Sequence, residues 1–161
     1  MDEFKPPEHV YEFRPRPRLF LAGSIEMGKA EDWQAKVVEE LKWAPGSILN
    51  PRRADWDSSW VQSIENHEFR TQVEWELNGL EDANVIALYF ARDTVSPISL
   101  MELGLFHKRH LIVCCDGEFP RKGNVDIVCK RYRIRQADTW DNFIQRLYEA
   151  VFRKHFEEAA A

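Results

Sequence analysis

Strand-like runs alternate with helix-like segments along nearly the whole chain, and this alternation limits the fold more than any other feature. Five segments are interpreted as strands, at residues 18–22, 47–49, 84–90, 110–115 and 132–136. Segments with the helical period of about 3.6 residues lie at 31–43, 64–81, 96–105, 124–130 and from 138 onward. The order predicts an α/β fold whose doubly wound parallel sheet has five strands in the flavodoxin-like order 2-1-3-4-5.

The two ends of the chain lack this alternation. Prolines at positions 6, 7, 15 and 17 exclude a helix and favour extended structure, so residues 1–17 are predicted to form a Pro-rich N-terminal arm. Residues 18–156 then form a single α/β catalytic domain, because a chain of 161 residues is long enough for one core. The Glu-Glu-Ala-Ala-Ala ending, residues 157–161, is expected to fray.

Charge and composition exclude several classes of partner. The net charge of −5 leaves no basic footprint, so we expect no nucleic-acid polymer as a partner. No apolar run approaches the ~20 residues of a membrane span, and the acidic first residues lack the apolar core of a secretory signal. We therefore expect a cytoplasmic protein with no membrane partner, and the odd number of cysteines, two of them adjacent, suits reduced buried thiols there.

Cofactor motifs are missing from the sequence. It contains no CxxC or HExxH pattern and its histidines are scattered, so no metal site is predicted. It also contains no GxGxxG and no Walker A motif, which argues against a dinucleotide or ATP. We therefore expect no cofactor.

The carboxylate of Glu102 is the first candidate for chemistry. The apolar run Asn84–Phe90 leads to Ser96–Gly104, which opens a helix, and open α/β sheets place their sites where a strand feeds a helix. The helix dipole is expected to hold a carboxylate in the first turns ionised, and such a group can attack the anomeric carbon of a sugar. The alternative is an ordinary charge near a helix start. The residues expected to pack this helix inward are Ile98, Met101 and Leu105.

A glycosyl nucleophile needs a second acid to protonate the leaving group, and two residues are candidates. On a helical wheel Glu76 lies about 60° from Val73 and about 40° from Leu80, so its carboxyl points near the core face. A buried Glu usually has a partner or a purpose. Asp93 lies in the loop that leads into the helix of Glu102. The predicted catalytic set is therefore Glu102 with Glu76 or Asp93.

Residues that follow the first two strands are candidates for substrate binding. Gly23 permits close backbone approach and Ser24 offers a hydroxyl and an N–H, although a plain structural turn is equally consistent. Arg52 or Arg53 could hold a phosphate or carboxylate, or form a surface salt bridge. Trp56 could stack on a planar base or pack under its own loop.

Four short motifs follow one another along residues 18–130: Phe20–Ile25, Glu76–Leu80, Met101–Gly104 and Asn124. Together they resemble the nucleoside 2-deoxyribosyltransferases and their relatives, the deoxynucleoside 5′-monophosphate N-glycosidases. The resemblance implies a ligand-binding turn in the first motif, an acid contacting the base in the second and the nucleophile in the third. It also implies that Asn124 reaches a neighbouring subunit's site and holds the sugar 5′-hydroxyl, which requires a homodimer or higher homo-oligomer.

Three positions depart from the family's pattern. The family usually has Asp where this chain has Glu76, whose longer side chain moves the carboxylate outward. An Asp usually lies six residues before the nucleophile, where this chain has Ser96, and the nearest acid is Asp93. Phe20 replaces a tyrosine often found near the first strand.

The resemblance implies an enzyme that cleaves the N-glycosidic bond of a small nucleoside or nucleotide through a covalent glycosyl-Glu102 intermediate. The sugar then passes to another base, or to water in an N-glycosidase. A monophosphate substrate would need anchors, for which Arg52, Arg53 and Ser99 are candidates, whereas Asn124 suits a neutral 5′-hydroxyl. The third alternative is a nucleotide-binding module without catalysis.

Overall fold

A parallel sheet of six strands forms the centre of the fold. The computed structural model describes residues 1–8, 15–26, 30–53 and 55–159. Its strands are β1 Asp2–Phe4, β2 Arg18–Gly23, β3 Ser47–Leu49, β4 Val85–Phe90, β5 Leu111–Cys115 and β6 Arg135–Ala137. They lie in the order β1-β3-β2-β4-β5-β6, and every neighbouring pair is parallel.

The helices cover both faces of the sheet. They are α1 Trp33–Leu41, α2 His67–Asp82, α3 Pro97–Leu105, α4 Lys122–Tyr132 and α5 Trp140–Ala159. Trp33 of α1 and Phe143 of α5 belong to the core on one face. Trp75 of α2, Leu103 of α3 and Val125 of α4 belong to the core on the other face. The fold is therefore α/β and doubly wound, as the alternation of strands and helices predicts.

The prediction of five strands in the order 2-1-3-4-5 is wrong, because the sheet gains a strand from the N-terminal segment. Asp2–Phe4 pairs with Ser47–Leu49 and extends the sheet beyond β3. Two of its three residues are acidic, so the sequence has no apolar run there that would predict a strand. The other five strands keep the predicted order among themselves. Residues 9–14 of the predicted arm lie outside the described residues.

Local signals explain several helix boundaries. The side chain of Asp32 accepts a hydrogen bond from Ala35 N and that of Asn66 accepts one from Phe69 N, so both residues are N-caps. Thr139 Oγ1 accepts from Asn142 N at 3.2 Å and so caps the start of the last helix. α5 continues to Ala159, so residues 157–159 are helical rather than frayed.

The inward face of α3 differs from the prediction. Ile98, Met101 and Leu105 are 55%, 51% and 59% exposed, whereas Ser99, Glu102 and Leu103 are buried. α3 carries apolar residues on more than one face, so periodicity alone selected the wrong face. A polar residue therefore points into the molecule, and an apolar face is left at the surface.

Close packing of α2 against β2 sets the position of the residues on α2. A Cβ added to Gly79 would lie 2.7 Å from the Phe20 ring, so only glycine allows this approach. At the end of the helix, Asp82 forms a salt bridge with the buried guanidinium of Arg18. These contacts fix α2 along the first central strand.

Gly23 ends β2 with a backbone φ of +140°, and a Cβ at this position would lie 2.2 Å from Tyr89 O. We predict that Gly23→Ala lowers the free energy of unfolding by about 3 kcal/mol or more, because backbone strain adds to a clash with backbone. Gly104→Ala is the matched control: Gly104 lies in α3 with nothing within 4 Å of the added Cβ. That variant should gain about 0.5–1 kcal/mol. Urea unfolding measures both, and equal effects would contradict the prediction.

Candidate active site

The site lies where the connections of two neighbouring strands leave in opposite directions. β2 and β4 are adjacent in the sheet, yet α1 after β2 packs on one face and α3 after β4 packs on the other. The carboxyl ends of the two strands therefore border a crevice, which is the usual ligand position in an open α/β sheet.

Three buried hydroxyl groups join the two loops at this crevice. Ser24 Oγ lies 3.0 Å from Thr94 Oγ1 and 2.6 Å from Ser96 Oγ, and the last two atoms are 2.9 Å apart. Ser24 Oγ also accepts from Ala91 N at 2.9 Å, and Thr94 Oγ1 donates to Ala91 O at 2.8 Å. This cluster fixes the segment that leads from β4 into α3, and thereby the start of the helix that carries Glu102.

Glu26 also holds this segment, although no sequence motif marked it as a site residue. Its Oε1 accepts from the backbone N–H groups of Val95 at 2.8 Å and Ser96 at 2.6 Å. Glu26, Asp93 and Ser96 all have positive φ, at 47°, 58° and 46°. Strained backbone of this kind is concentrated at functional sites. The only signal in the sequence was the place of Glu26, two residues after the Gly23-Ser24 turn.

Glu102 points inward from α3 and is 8% exposed. Burial raises the pKa of its carboxyl to about 8, and the nearby charge of Glu76 adds to the rise. Burial thus opposes the expected effect of the helix dipole, which favours the ionised form of Glu102. Ser99 lies one turn earlier on the same buried face.

Glu76 is the acidic side chain that the structure brings to Glu102. Burial raises the pKa of Glu76 to about 7, against the opposing effect of a hydrogen bond from Gln72. Part of its surface remains open to solvent, so the site is reachable. Two buried carboxyls that repel each other titrate as a pair, and near neutral pH the pair holds about one proton.

Asp93 is placed differently. It is exposed and, with Glu26, Glu31 and Arg92, lines a cleft of about 390 Å³ at the carboxyl edge of the sheet. Glu102 and Glu76 are not among the residues that line this cleft. Of the two candidate acids, Glu76 is therefore the one whose charge acts on Glu102.

The candidate binding residues after β3 form contacts within the protein. Arg52 donates to Ala30 O and Glu31 O, both at 2.9 Å, and so ties its loop to the start of α1. Arg53 forms two hydrogen bonds with Asp55 and lies over the Trp60 ring.

Trp56 and Asn124 are the last two candidates. Trp56 packs edge-on against Trp60 with ring centroids 5.1 Å apart, and no described residue accepts a hydrogen bond from its buried indole N–H. Asn124 lies exposed in the first turn of α4.

Metal sites and membrane-spanning helices were both considered within the residues that the structure describes. Among them, no group of three or more His, Cys, Asp and Glu side chains is arranged to hold a metal ion. Across the same parts of the chain, no helix is both long enough and apolar enough to cross a membrane.

Comparisons with known proteins bear on the family and on the fold. Residues 16–119 match the family model "Nucleoside 2-deoxyribosyltransferase like". A conserved protein from Enterococcus faecalis V583, known from its crystal structure, has the same fold with a TM-score of 0.54 at 10% identity, covering 84% of this chain and 97% of its own. No curated protein sequence matches the chain. Since the family model spans more than half of the chain, this protein belongs to the nucleoside 2-deoxyribosyltransferase-like family.

Proposed function

We propose that the protein cleaves the N-glycosidic bond of a 2′-deoxynucleoside and transfers the sugar to another base, with Glu102 as the nucleophile. The observation that carries the proposal is the pair of buried carboxyls, Glu102 and Glu76, in a chain of this family. A retaining glycosyl transfer needs one ionised carboxylate and one protonated carboxyl. A pair with one shared proton can supply both. The higher pKa of Glu102 places that proton on Glu102 in the free protein, so the reactive form requires its transfer to Glu76.

The first step of the proposed reaction uses both groups. The carboxylate of Glu102 attacks C1′, the bond between C1′ and the base nitrogen breaks, and Glu76 gives its proton to the leaving base. The products are a neutral base, an ester between Glu102 and the sugar, and an ionised Glu76. Without a 2′-hydroxyl, the positive charge that develops at C1′ is easier to form.

The second step reverses these roles. A nitrogen of the incoming base attacks C1′, the ester bond to Glu102 breaks, and the N–H proton of the incoming base passes to Glu76. Both carboxyls return to their initial states, so the cycle needs no cofactor. Water in place of the base would give hydrolysis, which the same experiments detect as free base formed without an acceptor.

The position of Glu26 favours a neutral nucleoside over a 5′-monophosphate. The family usually carries an Asp where this chain has Ser96, and Glu26 brings a carboxylate from another loop to the Ser96 N–H. The same contact occupies two N–H groups at the start of α3, where a phosphate would otherwise be favoured. A dianionic phosphate would meet this charge and those of Glu31 and Asp93 in the adjoining cleft.

We propose further that the protein works as a homodimer or higher homo-oligomer in which Asn124 of a second copy contacts the sugar. Asn124 is exposed in one chain, as such a role requires. The exposed face of α3, with Ile98, Met101 and Leu105, gives a second copy an apolar surface beside the site.

We predict that Glu102→Gln lowers the rate of base exchange at least about 1,000-fold, because an amide cannot form the ester. Glu74→Gln is the matched control: Glu74 is an exposed acid on α2, 3.8 Å from Arg70. That variant should retain full activity. The assay incubates a deoxynucleoside with a second free base and separates the products. Wild-type protein without an acceptor base should also gain the mass of the sugar. Exchange that survives in Glu102→Gln would exclude Glu102 as the nucleophile.

The dependence of kcat/KM on pH should be bell-shaped, with its maximum near pH 7–8. Below this range both carboxyls are protonated and the nucleophile is lost, and above it both are ionised and the acid is lost. Glu76→Gln should lower kcat/KM about 100-fold or more and remove the alkaline limb. It should also move the acidic limb to somewhat higher pH, because this limb then reports Glu102 alone, whereas in the wild-type pair it reports the first proton lost, which is that of Glu76. An alkaline limb that persists in this variant would assign the acid to another residue.

We predict that Glu26→Gln raises kcat/KM for a deoxynucleoside 5′-monophosphate relative to the nucleoside by about ten- to a hundredfold. The amide oxygen can still accept the two N–H groups, while the repulsion of one charge disappears. Glu31→Gln makes the same change elsewhere in the same cleft and should alter this ratio less. Equal changes in both variants, or a wild-type preference for the monophosphate, would contradict this role of Glu26.

A further inference from the structure

Gln72 is a buried polar residue to which the proposed mechanism assigns no task. It lies one turn before Glu76 on α2 and is 3% exposed. Its Nε2 donates two hydrogen bonds, one to Pro51 O at 3.0 Å and one to Glu76 Oε1 at 2.7 Å. Gln72 therefore links the second carboxyl of the site to the backbone of the loop after β3.

The contact with Pro51 fixes the orientation of the Gln72 amide. A backbone carbonyl oxygen only accepts hydrogen bonds, so the amide must present its NH₂ group to Pro51. The same NH₂ group then faces Glu76, and Glu76 Oε1 has to be the acceptor. A proton carried by Glu76 consequently resides on the other oxygen, Oε2.

The other end of this link is held firmly. Asn50 N donates to Phe4 O at 2.9 Å, and Asn50 Oδ1 accepts from Arg52 N at 3.0 Å, so hydrogen bonds hold the residues on both sides of Pro51. The side chain of Asn50 also donates to Glu3 at 2.7 Å. Pro51 O is thus a fixed point from which Gln72 can hold Glu76.

The other amide atom of Gln72 argues against a purely structural role. Its Oε1 is buried, and no described residue donates a hydrogen bond to it. An unsatisfied buried acceptor destabilises a fold, and an apolar side chain of the same length would avoid this cost. The benefits that remain are the two hydrogen bonds of its NH₂ group, to Pro51 O and to Glu76.

The charges around Glu76 decide what this bond does to its proton. Burial favours the protonated form of Glu76, and the titratable group on α3 that interacts with Glu76 is Glu102. The N–H donor on α2 acts in the opposite direction, because it stabilises the carboxylate. Gln72 thus limits how tightly Glu76 keeps its proton.

We propose that Gln72 is a positioning residue for the Glu76 carboxyl. Its hydrogen bond to Oε1 leaves Oε2 as the oxygen that carries the proton to the leaving base, and the same bond eases the release of that proton. This inference rests on the proposed function for the transfer to a base. The orientation of Glu76 and the effect on its proton concern the free protein and can be tested there.

The test replaces Gln72 by Met, which has a similar length and no donor. Gln34→Met is the matched control, because Gln34 is also a fully buried amide, on α1 and on the opposite face of the sheet. It contacts the same loop, through a hydrogen bond from Arg52 Nη1 at 3.4 Å, and therefore reports what a disturbance of that loop does without loss of the donor to Glu76. The protonation of Glu76 is followed in the free protein by ¹³C NMR of the Glu carboxyl carbons, with Glu76→Gln identifying its signal. kcat/KM and kcat are measured across pH in parallel.

In Gln72→Met, we expect the titration midpoint of the Glu76 carboxyl to rise by about 1 pH unit. The alkaline limb of the kcat/KM profile should move to higher pH by the same amount. At the optimum kcat should fall at least tenfold while KM changes little, because the misplaced proton affects the transfer step. Gln34→Met should leave the titration midpoint of Glu76 and the position of the alkaline limb unchanged, even if the variant is less stable. If Gln72→Met does not fold, Gln72→Asn keeps the neutral amide, but its shorter side chain cannot reach both Pro51 O and Glu76, so this variant should also raise the titration midpoint of Glu76.

Two outcomes separate this inference from the proposed function. A Glu76 midpoint in Gln72→Met equal to that in Gln34→Met overturns the inference, even if the wild-type protein exchanges bases. A raised midpoint in a protein that exchanges no bases supports the contact between Gln72 and Glu76 and overturns the proposed reaction instead.

Discussion

The burial of two carboxyl groups beside each other is the constraint on which the rest of the site depends. Glu102 and Glu76 each lose water, and the charge of Glu76 further raises the pKa of Glu102, so burying the two groups together costs free energy. The cost is tolerable because the pair keeps a proton at neutral pH instead of two charges. The same shared proton makes the pair suited to glycosyl transfer, which needs an acid and a nucleophile at once. On the proposed mechanism, the burial that destabilises the charged pair is also what prepares it for the reaction.

The two carboxyls stay close only if α2 and α3 keep fixed positions relative to each other. On α2, the close contact of Gly79 with Phe20 and the salt bridge between Asp82 and Arg18 set the position of the helix along β2. On α3, the first turn is tied to the turn after β2 through Ser24 and through Glu26. β2 is thus the common reference for both helices, which explains why the site forms at the boundary between β2 and β4.

Sequence patterns predicted the parts of this structure that depend on apolar periodicity. The alternation of strands and helices, the order of the five main strands and the inward direction of Glu76 follow from spacing and burial. Three features did not follow, for separate reasons. β1 is a three-residue edge strand without an apolar run. The exposed face of α3 has an apolar pattern as strong as the buried one. Glu26 acts through backbone N–H groups that only the folded loop brings near it.

The two acidic departures from the family pattern can be understood together. Where an Asp is usual before the nucleophile, this chain has Ser96, and the carboxylate of Glu26 reaches the Ser96 N–H from a different loop. Where an Asp is usual on the second helix, Glu76 adds one methylene and one rotatable bond. The carboxyl can therefore adopt more positions, and ordering it costs conformational entropy. The hydrogen bond from Gln72, itself held by Pro51 O, removes that freedom. On the proposed mechanism, each departure thus has a compensating contact close by, so the altered acids are compatible with catalysis and do not by themselves indicate a site that has lost it.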